Sequence, residues 1–184
     1  MKKQIAILAF YITGWKWDYD NKFTCDKSVM LAAPHTSNWD LFYAMATYWR
    51  FGVDAKFFIK DVYTKGLHGY FFKKLGAIGV NRKKNNNLVD YAIELFKQKE
   101  KFVLLVPAEG TRKKVDKWKK GFYHIAKGAK VPVALGFLDY KNKISGVGGL
   151  IHLTENFETD MQKIEDFYKN IEAKYPEKYN KKIF

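Results

Sequence analysis

Cysteine is nearly missing from this sequence, Cys25 being the only one. That excludes an intramolecular disulfide and a cysteine-rich metal site, and it suits a reducing compartment. Proline numbers four, and no proline- or serine-rich stretch or internal repeat divides the 184 residues. The length fits one domain, residues 1–184, able to bury a real core. Long apolar runs are absent too. The N-terminal run, residues 5–12, falls short of the roughly 20 apolar residues that a bilayer span needs. Polar tracts are equally scarce, and at 47% hydrophobic the chain does not read as disordered. Acidic residues are the last shortage: 19 stand against 33 Lys and Arg, for a net charge of +14. Such an excess attracts polyanions, so nucleic acid, anionic lipid and phosphorylated substrates are all candidates.

At the N-terminus, Lys2 and Lys3 precede the apolar run. A signal peptide has this order, but here Trp15, Lys16, Trp17 and Asp18 follow, without a small-residue cleavage site. Aromatics and Lys at the edge of an apolar run suit a helix lying in a membrane interface. Residues 1–20 are a candidate interface segment, a core helix or strand being the alternative.

"SVMLAA" reads as a buried strand ended by Pro34. A helical pattern follows over residues 38–51, with Ser37 or Asn38 as cap and Asp40 in its first turn. "AKFFIK" is a second strand, with a helix expected over residues 63–75. "GAIGV" is a third strand. Asn87 can cap the next helix. "KFVLLVPA" is the clearest buried strand, and it runs into "EGTRKK". "GFYHIAKGA" reads as a helix stopped by Gly128. "VPVALGFLDY" is a strand, and "NKISGVGGLIHL" an edge hairpin candidate. Met161, Ile164, Phe167, Tyr168 and Ile171 mark an amphipathic helix ending before Pro176. This alternation predicts an α/β fold: a single domain with a mixed, mostly parallel sheet flanked by helices.

Three polar breaks follow strands. The first, "HTSNWD", sets His35 before Asp40 with four residues between them, across a turn. Asp40 folded back could accept a hydrogen bond from one ring nitrogen and leave the other as a base. By itself the pair is also compatible with a helix cap beside an ordinary surface histidine. The second break carries Glu109, Gly110, Thr111 and Arg112. Gly110 permits a tight turn, and Arg112 offers a fork for phosphate or carboxylate. Glu109 could bind a substrate hydroxyl or hold the loop by pairing with a basic group. The third break is Asn81-Arg82. Ligands of open α/β sheets bind beyond the carboxyl ends of strands, so the three breaks should converge on one active site.

These blocks resemble those of the glycerolipid acyltransferases, the 1-acylglycerol-3-phosphate acyltransferase family. "HTSNWD" resembles the family's histidine–four residues–aspartate motif, "GAIGVNR" its second block, "PAEGTR" its third and "KVPVALGF" its fourth, in the right order. The resemblance implies that His35 deprotonates an acceptor hydroxyl while Asp40 orients it. The hydroxyl would then attack the thioester of acyl-CoA or acyl carrier protein directly. It also implies that Arg82 and Arg112 hold phosphate, and that Glu109, Gly110 and Thr111 shape the acceptor pocket. No metal or redox cofactor would be needed. The implied acceptor is a lysolipid, 1-acylglycerol-3-phosphate first, and the implied place is cytoplasmic, peripheral on anionic lipid at the inner membrane face. Three departures from the family pattern stand out. Pro107-Ala108 replaces the usual Phe-Pro, and Asn81 stands where Asp is common. Only 34 residues precede His35, which leaves little room for a long N-terminal helical pair. These leave another lysolipid, such as an acyl-amino-acid lipid, open as acceptor.

Residues 112–120, "RKKVDKWKK", are basic around Trp118. They suit a solvated loop, or docking to anionic lipid, CoA phosphates or an acidic carrier protein. No nucleic-acid module matches. His68, His124 and His152 lack a partner at motif spacing, and no NTPase-type glycine loop is present. Two rival functions remain: a non-catalytic basic module that binds membrane or nucleic acid, and a thioester hydrolase in which His35 activates water.

Overall fold

The structure, a computed structural model, describes residues 1–18, 25–81 and 87–184. Its centre is β2 (Lys27–Ala33), whose residues alternate between two cores. Val29, Leu31 and Ala33 enter one, and Met30 enters the other. Both faces must therefore be covered, and parallel neighbours do this through helical crossovers. β5 (Phe102–Val106) and β6 (Val133–Asp139) flank β2 in parallel. Beyond β5 lie β3 (Ala55–Lys60) and then β4 (Ala77–Val80), also parallel. β7 (Ile144–Ile151) returns antiparallel to β6, and β1 (Lys16–Asp18) pairs parallel with β7 at the edge. The order is β1-β7-β6-β2-β5-β3-β4. The expected single α/β layer with a mixed, mostly parallel sheet is what forms.

One face is covered by α4 (Leu88–Gln98), α5 (Gly121–Ala129) and α6 (Phe157–Tyr168). Phe96, Phe122, Ile164 and Tyr168 are fully buried there, and each such side chain contributes about 1.5–3 kcal/mol. The other face carries α2 (Trp39–Phe51) and α3 (Gly66–Lys74). α1 (Lys2–Thr13) packs on α2 through Ala6 and Phe10, joined by Trp15 just after the helix. Asn87 caps α4 as expected, its side chain accepting from the N–H groups of Val89 and Asp90.

Several local expectations change. The segment over 63–75 splits into a 3-10 turn (Asp61–Thr64) and α3, because Lys65 is extended and Gly66 takes φ +66°. α5 does not stop at Gly128; it ends at Ala129, capped by a left-handed Lys130. Gly128 instead lets α4 come close, since a Cβ there would collide with Ile93. α6 ends at Tyr168, and Ile171 is buried just beyond it. The β6–β7 hairpin exists, but β1 takes the edge. Trp15, read as an interface residue, is buried and stacks on Tyr43 at 4.3 Å. Asn38 makes no side-chain cap; Ser37 Oγ accepts from the Trp39 N–H instead, at 3.2 Å. Among the described residues no helix is long and apolar enough to cross a membrane.

Candidate active site

Leu31 of β2 pairs with Val106 of β5 at the carboxyl end of the sheet. The loops after these two strands therefore emerge side by side, and they bring His35 to Glu109. The backbone N–H of His35 donates to Glu109 Oε1 at 2.8 Å. The chain then turns into α2, and Asp40, in the helix's first turn, reaches back. Its Oδ2 accepts from the N–H groups of Thr36 at 2.7 Å and Ser37 at 2.8 Å, and lies 3.2 Å from His35 Nδ1. With Asp40 as acceptor, Nδ1 carries the proton and Nε2 keeps its lone pair. The imidazole is about one-fifth exposed, while Asp40 is buried.

A partner from the end of β6, the strand that flanks β2 opposite β5, completes the pair. The Tyr140 hydroxyl donates to Asp40 Oδ1 at 2.7 Å. Burial first, and the Asp40 carboxylate second, raise the pKa of this phenol, so it stays a donor. Its ring lies edge-on to Trp15 at 4.9 Å. Tyr140 was missed in the sequence because it stands 100 residues from Asp40. It sits one residue past β6, and β6 neighbours β2. Sheet order, had it been known, would have pointed to it.

Glu109 is buried, and its second oxygen, Oε2, has no hydrogen-bond partner among the described residues. Desolvation pushes its pKa up from 4.5 to about 7, against the lowering effect of the His35 N–H. So Glu109 holds the His35 backbone rather than a basic side chain. Gly110 takes φ +68°, which favours glycine, and its N–H closes a turn onto Pro107 O. Thr111 Oγ1 accepts from the Lys113 N–H at 3.3 Å and so shapes the same turn. Arg112 is exposed on the cavity wall. Arg82, expected to join it, lies outside the described residues.

His35 and Asp40 open into a cavity of about 1140 Å³ at the carboxyl ends of the strands. Its walls come from both helical layers: Leu41, Tyr48 and Phe72 on one side, Val89 and Phe122 on the other. A polar dyad beside a large apolar space can hold an acyl chain against a base.

A profile of the acyltransferase family matches residues 18–134, more than half of the sequence. The chain belongs to this acyltransferase family, and acyl transfer is its class of activity. Among solved structures, the fold is similar to the 1-acyl-sn-glycerophosphate (LPA) acyltransferase PlsC from Thermotoga maritima, with a TM-score of 0.64 at 17% identity. That alignment covers 91% of this chain and 75% of the other, and at this identity the likeness is one of fold. No curated protein matches the chain.

The raised pKa of Glu109 makes stability depend on pH. Between about 4.5 and about 7 the folded protein holds a proton on Glu109 that the unfolded chain has lost, so stability falls as pH rises through this window. Glu109→Gln should remove that part of the slope, up to about 3 kcal/mol. Urea unfolding of both proteins at pH 5 and pH 8 measures it. A stability difference between them that does not change with pH contradicts the buried carboxyl.

Proposed function

We propose that this acyltransferase moves a fatty acyl group from a thioester, acyl-CoA or acyl carrier protein, to the hydroxyl of a lysolipid. The observation that carries this reading is the His35–Asp40 pair, 3.2 Å apart at the mouth of an apolar cavity. In the reaction, His35 Nε2 takes the proton of the acceptor hydroxyl. The oxygen attacks the thioester carbonyl, and the tetrahedral intermediate collapses. The imidazolium then returns the proton to the departing thiolate. Asp40 stabilises the imidazolium while it exists. Arg112, exposed on the cavity wall, suits an anionic headgroup. That favours a phosphate-bearing acceptor, with 1-acylglycerol-3-phosphate first; a carboxylate-bearing lysolipid uses the same fork.

The test is mass spectrometry of products from acyl-CoA or acyl carrier protein and a lysolipid panel. Wild type should acylate the lysolipid. His35→Ala, shown folded by circular dichroism, should be slower by on the order of 10²–10⁴. Near-normal turnover by that variant contradicts the mechanism. Release of free fatty acid with no acylated lysolipid favours the hydrolase.

The same reading puts the enzyme on a membrane surface, peripherally. Supporting it are exposed Ile5, Leu8, Tyr11 and Ile12 on α1 and, unforeseen from the sequence, Leu67, Tyr70 and Phe71 on α3. Lys65, Lys73 and Lys74 adjoin the α3 group, a composition suited to an anionic interface. Replacing Leu67 and Tyr70 by Asp should weaken sedimentation with phosphatidylglycerol-containing vesicles by about tenfold or more, from the apolar burial lost. Unchanged binding removes α3 from the contact surface.

A further inference from the structure

Residues 112–120 carry six cations, Arg112, Lys113, Lys114, Lys117, Lys119 and Lys120, against the single carboxylate of Asp116. All six are exposed. Among the described residues none of them is in an ion pair. A solvated loop would be free to move, yet this one is pinned. The Trp118 N–H donates to Ile183 O at 2.9 Å, and the Lys119 N–H to Ala108 O at 2.9 Å. Asn180 Nδ2 donates to Asp116 O at 2.7 Å. The charge is thus held in place at the rim of the cavity, which Arg112 and Lys119 line.

The surroundings narrow what the charge can serve. A nucleotide would want a ring to stack on, but the loop's one aromatic, Trp118, is 6% exposed and packs on Phe122 and Tyr168. A bilayer would want apolar anchors. Among the described residues, no large hydrophobic side chain from 87 to 174 is exposed, whereas α1, α2 and α3 carry many. The loop leads into α5, in the helical layer across the sheet from α2 and α3. The cavity therefore has an exposed apolar, aromatic flank on one side and a predominantly basic rim on the other.

We propose that residues 112–120 are the docking surface for an acidic acyl carrier protein. The partner's acidic face meets the lysines, and its thioester arm enters the cavity alongside them, while the lipid acceptor enters from the α2–α3 side with its headgroup reaching Arg112. Exposed charge on a loop whose backbone is pinned suits a macromolecular face, where electrostatic complementarity sets encounter and orientation. This rests on the thioester-donor reading above.

The probes are a type II acyl carrier protein, in holo form for binding and in acyl form for turnover, and acyl-CoA with the same chain. The variant is Lys113→Glu/Lys114→Glu/Lys117→Glu, which spares the cavity wall. Wild type should bind the holo carrier in low salt and lose it in high salt. The variant should bind at least tenfold more weakly and show a matching rise in KM for the acylated carrier. Its acyl-CoA kinetics and its vesicle sedimentation should stay within about twofold of wild type. The proposal is overturned if wild type fails to bind the holo carrier, if both donors are impaired alike, or if vesicle binding alone is lost. Binding is read without turnover, so carrier capture without any acyl transfer would count against the reaction and in favour of the surface.

Discussion

One buried carboxylate organises this site. Asp40 accepts from two backbone N–H groups, the Tyr140 hydroxyl and the His35 ring. The first two bonds fold the turn between β2 and α2, and the last sets the base. Building the turn and orienting the imidazole are therefore one act. A hydrogen bond to a charged group contributes roughly 1.5–3 kcal/mol, so the set offsets much of the cost of burying the carboxylate. It also explains why four residues separate His35 from Asp40. The intervening turn is long enough to reverse, and short enough for the carboxylate to reach its N–H groups.

Sheet topology supplies everything else the pair needs. β2 lies between β5 and β6. The loop after β5 brings Glu109 under the His35 backbone, and the end of β6 brings Tyr140 over Asp40. Aromatic packing links this to the N-terminus, since Trp15 touches both Tyr43 and Tyr140. α1 thus has two faces. One supports the site through Phe10 and the Trp15 that follows it, and the other leaves Ile5, Leu8 and Tyr11 in solvent.

The sequence made the central strands and the short-range parts of the site legible, though not the edge strand β1. β2 and β5 are apolar runs bounded by polar breaks, and period and boundary suffice for such elements. His35, Asp40 and Glu109 were visible because each directly follows a strand or opens a helix. What was not legible depends on tertiary contacts. Tyr140 needs the β6–β2 adjacency. Gly128 has a helix-ending residue type, yet close packing on Ile93 keeps it inside α5. Trp15 and Trp17 have the composition of a membrane edge, but Trp15 is core and Trp17 stacks on Phe10 at 4.7 Å. In each case local propensity was overridden by a tertiary contact.

The central claim is that Asp40 fixes His35 with its proton on Nδ1 and leaves Nε2 free to act. Nitrogen NMR of the His35 ring in the folded protein, at a pH where the imidazole is neutral, tests it most directly. The account predicts a protonated Nδ1 and an unprotonated Nε2 in wild type, and loss of that tautomer preference in Asp40→Asn. A wild-type spectrum with the proton on Nε2, or one unchanged by Asp40→Asn, would contradict it.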